Sequence, residues 1–315
     1  MWLKNIVVYR LGAGWARAPE ELEAKLAQQP LQKCGGYEME TRGWVAPQHE
    51  GQYLYTQNRQ WLLALGFEQK LLPASVIREA AEERIRELEA TLGHPVGRKQ
   101  KRDIKDKVAA ELMPRALSRR RRTCAWIDTA NGWLAVEAAG APKAEQFMEV
   151  LRRTEEDLPA VRLETRRSPS ACMGRWIMAG EADGPFSIDD DLELRAQDAT
   201  RATVRYARHA LGGKDIRDHI AAGKLPVRLG LTWNDRISFV LTDELHIKRL
   251  SFLGILEREA GEEVENDDER FDLDFALMTG ELSRMLADLV AALGGEKGAG
   301  SRSDEVEDSE AELDA

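Results

Sequence analysis

MPRALSRRRRTCAWIDTANGWLAVE, residues 113–137, joins the most basic run of the chain to its clearest strand and turn signal. Arg115, Arg119, Arg120, Arg121 and Arg122 crowd together just before Cys124–Asp128, which alternates in character and is followed by Asn131-Gly132. An Asn-Gly pair between two short apolar runs is a hairpin cue, because both residues tolerate positive φ. The stretch therefore predicts arginines delivered to the mouth of a rigid sheet, a placement suited to gripping a polyanion.

The helical spacing upstream extends this picture. From Pro73 the apolar residues Val76, Ile77, Ala80, Ile85, Leu88 and Leu92 recur at helical intervals, with Ser75 as the expected cap and Gly93-His94-Pro95 as the stop. A second helix over 98–112 carries Ile104, Val108 and Leu112 on one side and ends at Pro114. Its bases Arg98, Lys101, Arg102 and Lys105 fall at i, i+3, i+4 and i+7, one face of an α-helix. Two helices joined by a short Gly/Pro turn predict an antiparallel helical hairpin with a basic outer edge.

Elsewhere the pattern mixes strands and helices. Strands are expected at 3–11, at 53–55 and 61–67 around Asn58-Arg59, and at 160–164. Helices are expected at 19–29 and at 142–153, where Ala144, Phe147 and Leu151 point inward; Gly174–Gly180 reads as the end of a short helix. Short strands including 203–207 precede a helix at 215–222, and 227–233, 236–242 and 246–252 predict an antiparallel meander. A last helix carries the stripe Leu282, Met285, Leu286, Leu289, Val290 and Leu293 and is expected to be capped by Gly294-Gly295. The order of elements predicts an α+β fold of antiparallel sheets with packed helices and a protruding helical hairpin, rather than a βαβ series.

Charge is strongly segregated. The net charge of −10 over 315 residues hides ten acids against two bases in 257–274 and seven acids against one base in 301–315. Residues 98–122 hold eleven bases and three acids. A partner feels the local field, so the acidic total does not exclude a polyanion. The N-terminus, MWLKNIVVYRLG, reads as a strand rather than a signal peptide, and no run of about eighteen apolar residues occurs, so a cytoplasmic protein without membrane contact is expected. Cys34, Cys124 and Cys172 lack paired spacing and are expected as small buried hydrophobes.

Catalytic constellations are few. Gly12-Ala13-Gly14 lacks a third glycine at dinucleotide-binding spacing, and Gly212-Gly213-Lys214-Asp215 lacks the rest of a phosphate loop. His49, His94, His209, His219 and His246 show no metal-ligand spacing, and no Gly-x-Ser-x-Gly elbow occurs, so no cofactor is expected. The nearest approach to a metal-dependent nuclease is Asp189-Asp190-Asp191-x-Glu193, or Asp272 and Asp274. Turn and cap duty is the better reading of both. The eight tryptophans could stack on bases, but their place inside strand and helix patterns favours core packing for most. The basic set carries no base-reading residues at helix-turn-helix spacing, so any nucleic-acid binding should be largely independent of sequence.

Several longer motifs are recognisable. WLKNIVVYRL at 2–11, Cys34-Gly35 with GWVAP at 43–47, KLLPASVI at 70–77 and LMPRALSR at 112–119 are followed by WIDTANG at 126–132, HIAAGKLP at 219–226 and RFDLDFALMTGEL at 270–282. In that order they resemble the recombination-associated protein RdgC family, over nearly the whole chain to Gly295. The resemblance implies a non-enzymatic, nucleoid-associated protein that binds single- and double-stranded DNA without sequence preference and restrains RecA-type recombinase. It also implies a horseshoe subunit closing into a ring-shaped homodimer. On that plan residues 1–72 with 118–165 form a centre, 73–117 a helical tip and 166–256 a base. An acidic linker and C-terminal helix packing on the centre occupy 257–297, and a disordered acidic tail 298–315.

The resemblance also distributes roles. Arg115 and Arg119 match a Pro-Arg-x-x-Ser-Arg signature at the tip, Arg208 and His209 fall in a loop implicated in DNA contact, and Lys224 lies in the HIAAGKLP motif. Arg120 departs from the family, in which an aromatic commonly follows the Ser-Arg pair. Tip closure would then be weaker, or rest on salt bridges to acids such as Glu79, Glu83 and Glu87. Two other readings stand beside this one: the metal-dependent nuclease, and an adaptor for the recombinase that touches DNA only incidentally.

Overall fold

The computed structural model describes residues 2–12, 15, 17–48, 51–254 and 266–298. The first half of the expected acidic linker, residues 299–315 of the expected disordered tail, His49, and Ala13 and Gly14 of the GxG lie outside the described residues. In chain order the elements are β1 (Ile6–Leu11), α1 (Pro19–Ala27), β2 (Glu40–Val45), β3 (Leu54–Gln57), β4 (Gln60–Lys70), α2 (Ala74–Leu92) and α3 (Arg98–Leu112). A 3-10 turn at Met113–Arg115 leads to β5 (Ser118–Asp128), β6 (Trp133–Glu137), α4 (Ala141–Thr154), β7 (Ala160–Arg162) and α5 (Pro169–Ala179). Then come β8 (Phe186–Ala196), β9 (Thr203–Tyr206), α6 (Lys214–Ala221), β10 (Lys224–Trp233), β11 (Ile237–Thr242), β12 (His246–Phe252) and α7 (Asp267–Ala292). The architecture is mixed α/β with antiparallel strand pairing, and seven α-helices occur among the described residues.

The chain divides into two compact units, one of Met1–Arg17, Thr56–Leu62 and Ala125–Ala315, the other of Ala18–Tyr55 and Leu63–Cys124. In the smaller unit β2 pairs with β4 from Glu40 against Gln69 to Val45 against Ala64. Its core gathers Leu22 and Leu26 from α1 with Trp44, Leu63, Leu65 and Phe67. The Gln29–Leu31 segment lies directly on β2: Trp44 N–H donates to the Gln29 carbonyl at 2.8 Å and Leu31 N–H to the Trp44 carbonyl at 2.9 Å. That approach requires glycine at 43, since a Cβ there would stand 2.4 Å from Leu31 N and 2.5 Å from Leu31 Cα. Backbone cannot step aside as a side-chain tip can, so Gly43→Ala is expected to cost about 1–3 kcal/mol, read as a lowered urea midpoint at unchanged slope.

The larger unit is built on a meander. β10, β11 and β12 pair in succession, with Trp233 against Ile237 and Ile237 against Phe252 in register, and β8 and then β9 extend the sheet beyond β10. β1 pairs with β6 along one edge, while its other edge is shared between β12 at Ile6 and Val7 and β7 at Tyr9 to Leu11. α4 buries Ala144, Phe147, Met148 and Leu151, and α5 buries Cys172, Met173, Trp176 and Ile177. α7 buries Phe275, Met278, Leu282, Met285, Leu286 and Leu289, and its Asp288 accepts from Trp233 Nε1 at 2.8 Å.

Three local expectations are corrected. The Asn131-Gly132 pair is not a two-residue turn: Asp128 faces Trp133, which leaves four residues in the loop, and of that pair Gly132 alone takes positive φ, at 71°. The tight turns with two left-handed residues are Asn58-Arg59 (48° and 64°) and Asn234-Asp235 (47° and 54°), as a type I′ geometry demands. Ser75 does not cap α2, whose N-cap is Pro73 with no side-chain bond. The second half of the acidic linker is helix: Asn266 caps α7 by accepting from Asp268 N–H, and Asp267, Asp268 and Glu269 sit where the helix dipole favours anions.

Candidate nucleic-acid interface

The arginine run does not merely abut a strand; it is the first half of one. Residues 118–122 of β5 are exposed, whereas Thr123 to Asp128 are buried. Period-2 geometry sends Ser118, Arg120 and Arg122 to one face and Arg119 and Arg121 to the other. On the first face Arg120 Nε donates to Glu68 Oε2 at 2.6 Å and Ser118 Oγ donates to Glu68 Oε1 at 2.9 Å. The bond from Arg120, then that from Ser118, hold the Glu68 carboxyl below the usual carboxylate range. Arg122 Nη1 donates to the Pro47 carbonyl at 3.2 Å. On the second face Arg121 lies 3.7 Å from Glu40 and 5.7 Å from the centre of the Phe67 ring, which Arg42 also approaches at 5.8 Å. The Arg119 side chain has no hydrogen bond or ion pair among the described residues, and that of Arg115, at the end of the 3-10 turn, is equally uncommitted.

The strand is anchored to the helices by a buried lysine. Lys70 at the end of β4 donates from Nζ to the Met113 carbonyl at 2.8 Å and the Gly36 carbonyl at 3.2 Å, and Leu71 N–H donates to the Leu117 carbonyl at 2.7 Å. α2 and α3 are joined by Arg84 to Glu111 at 3.0 Å and Lys101 to Glu89 at 3.3 Å. Glu89 also accepts from Val96 N–H, and that bond first, then Lys101, lowers its carboxyl. On α3, Arg98, Lys101, Arg102 and Lys105 are all exposed, and Lys101 alone of these four is paired among the described residues.

In the larger unit Arg208 and His209 follow β9. Arg208 has φ 52°, and His209 N–H donates to the Asp190 carbonyl at 3.1 Å. Arg208 and Arg249 share an open cavity of about 560 Å³ with Asp189, Asp190 and Asp191. Lys224 stands apart from it, opposite Ala196, with its ammonium donating to His219 Nδ1 at 3.0 Å.

Sequence reading missed a set of bases on this sheet. Register places Arg205 opposite Glu193 and Glu193 opposite Arg228, and Arg205, Arg228, Lys248 and Arg249 line one common concavity. Glu193 is bonded by Arg195 at 3.1 Å and approached by Arg228 at 3.5 Å, and Arg249 reaches Asp191 at 3.1 Å. The available signal was a base at every second position between buried apolar residues, as at Arg228 between Val227 and Leu229. It is diluted over three strands and visible only once they are in register.

The carboxylates weighed for a nuclease have other duties. Asp189, Asp190 and Asp191 are not in a turn but in a bulge of β8 opposite Gly230. Burial raises the Asp189 carboxyl, and Thr232 Oγ1 lies 2.9 Å and 3.0 Å from its two oxygens. Asp272 and Asp274 lie inside α7, so they are neither turn nor cap residues. Among the described residues no three His, Cys, Asp or Glu side chains are grouped to hold a metal ion. Cys124 and Cys172 are buried; Cys34 is half-exposed and its thiol donates to the Glu68 carbonyl at 3.0 Å. Trp44, Trp61, Trp126, Trp133, Trp176 and Trp233 are buried, and Trp2 and Trp15 partly so. Among the described residues no helix is long and apolar enough to cross a membrane.

Comparison with known proteins agrees with the motifs. A family model described as "Putative exonuclease, RdgC" matches residues 1–296. A recombination-associated protein RdgC of Dechloromonas aromatica is 47% identical over 299 residues, covering 94% of this chain and 98% of its own length. Proteins of the same name from a Janthinobacterium species and from Burkholderia orbicola are each 48% identical, over 296 and 297 residues. With the match spanning both units and every described element, the chain belongs to the RdgC family of recombination-associated proteins.

Proposed function

We propose that this protein binds single- and double-stranded DNA without sequence preference and, as a nucleoid-associated homodimer closed into a ring, modulates RecA-type recombination. The observation that carries the reading is the pairing, within one unit, of an exposed arginine strand with a helix face of four bases: Arg98, Arg102 and Lys105 of the helix, Arg115 of the 3-10 turn and Arg119 of the strand have no acidic partner among the described residues. Bases held on regular elements and left without acids suit phosphates, which they meet by charge-assisted bonds and counterion release. The row Arg205, Arg228 and Lys248 offers a second basic surface, with Arg208, His209 and Lys224 elsewhere in the same unit. On this reading α2 and α3 form the helical tip of residues 73–117, residues 166–256 form the base, and Arg120, committed to Glu68, serves the strand more than the DNA.

No base-reading side chain is invoked, so affinity should be electrostatic. Log affinity for random duplex, read by fluorescence anisotropy, is expected to fall linearly with log salt. Five phosphate contacts would give a slope of about −4.5. An affinity that stays flat between low and moderate salt would sink the reading, as would strong discrimination between unrelated duplexes.

A further inference from the structure

We propose that the acidic segment 299–315 docks on the exposed face of the β9–β8–β10–β11–β12 sheet and competes there with DNA. The proposal rests on the DNA-binding reading for its consequence, but not for the docking itself.

The face has an excess of positive charge and is open. Arg195, Arg205, Arg208, Arg228, Lys248 and Arg249 stand against Asp189, Asp190, Asp191 and Glu193, with the side chains of Arg228 and Arg249 44% and 60% exposed. The acids already present show that these bases accept carboxylates: Glu193 meets Arg195 and Arg228, and Asp191 meets Arg249. Arg205 and Lys248 have no acid within ion-pair distance among the described residues, so the face has capacity left for more.

The segment is built as the complement. Residues 299–315 hold seven acids and one base, with Val306 and Leu313 as their only large apolar side chains. Any surface that binds it must therefore do so through charge. It lies beyond residue 296, where the family match ends, so it belongs to this chain rather than to the matched family pattern. It also leaves from a fixed point in the same unit as the face. Glu296 bridges Thr165, Lys297 N–H donates to the Glu164 carbonyl at 3.0 Å, and Lys297 Nζ pairs with the Glu164 carboxylate at 2.9 Å.

Reach and strength are compatible. Seventeen extended residues span about 55–60 Å, whereas five strands measure about 24 Å across and a ten-residue strand about 33 Å along. A tethered segment has an effective concentration on the order of millimolar. Against a dissociation constant of similar or somewhat lower value, typical of exposed ion pairs, it would weaken DNA binding about two- to tenfold. Salt would remove this difference, because screening acts on both contacts.

The test uses the full chain with Asp304, Glu305, Glu307, Asp308, Glu310, Glu312 and Asp314 changed to the corresponding amides. Its affinity for a random duplex at 50 mM salt should exceed that of the parent about two- to tenfold, with the gap closing as salt is raised. A fluorescent peptide of residues 299–315 should bind this variant and be displaced by unlabelled duplex. The peptide should lose binding when Arg205→Ala, Arg228→Ala and Lys248→Ala are added. Equal DNA affinity of parent and variant would overturn the competition, and peptide binding untouched by the triple substitution would overturn the assigned face. If neither protein binds DNA, the functional reading falls instead, and the peptide titration alone then decides the docking.

Discussion

Replacing Arg115 and Arg119 together by alanine is expected to lower affinity for random duplex by about ten- to a hundredfold, equally on all sequences. Both guanidinium groups are exposed and have no acidic partner among the described residues, so nothing in the protein is lost with them. Each would make a charge-assisted contact to phosphate, and removing two such contacts should flatten the plot of log affinity against log salt by about 1.8. Arg120→Ala is the informative control. Its guanidinium is already held 2.6 Å from a buried carboxylate, so its loss should weaken DNA binding less than the loss of Arg119. If Arg120→Ala costs as much affinity as Arg119→Ala, the division of the run by strand face is wrong. A loss confined to some base sequences would point to direct readout instead.

Asp128→Ala is expected to cost about 3 kcal/mol of stability. The side chain is fully buried at the end of β5. Oδ1 accepts from Ala130 N–H and Asn131 N–H, both at 2.9 Å, and Oδ2 accepts from Asn131 Nδ2 and Ser283 Oγ, both at 2.8 Å. One carboxylate thus shapes the β5–β6 loop and pins α7 to it. Burial by itself would raise its pKa, but the bonds from Asn131, Ser283 and Gln60 outweigh that and hold it low. A carboxyl lowered in the folded state contributes stability that is present above its unfolded value, near 3.9, and lost as pH falls through the folded one. The gap between parent and variant in urea melts should therefore be constant from neutral pH to about 5 and narrow below about 4. A gap that widens on acidification would contradict this role for Asp128.

Alternation made the meander legible: in β11, Ile237, Phe239 and Leu241 are buried while Ser238 and Val240 are less so, as period 2 requires. Helical spacing did the same for α4 and for the apolar stripe of α7. The Asn131-Gly132 cue marked a real reversal but misjudged its geometry. Asp128 supplies from its side chain the acceptors that a two-residue turn would have found in the opposite strand. Acid density misled at 267–274, since the same charges that suit a solvated linker also suit a helix N-terminus capped by asparagine.

By itself the sequence determined where the charge lies, which residues face a core, and the family, because composition and short-range periodicity are local properties carried by each segment wherever it ends up. Tertiary structure alone decided which arginines remain available. Arg120 finds Glu68, 52 residues earlier in the chain, Arg121 finds Glu40 and Phe67, and Arg119 just before them finds no acid among the described residues. It likewise decided that Arg205, Arg228 and Lys248, unremarkable in their own strands, stand on one face. Whether a base is spent on an internal acid or left for a phosphate depends on contacts across a few ångströms between residues far apart in sequence, and only strand register brings those residues together.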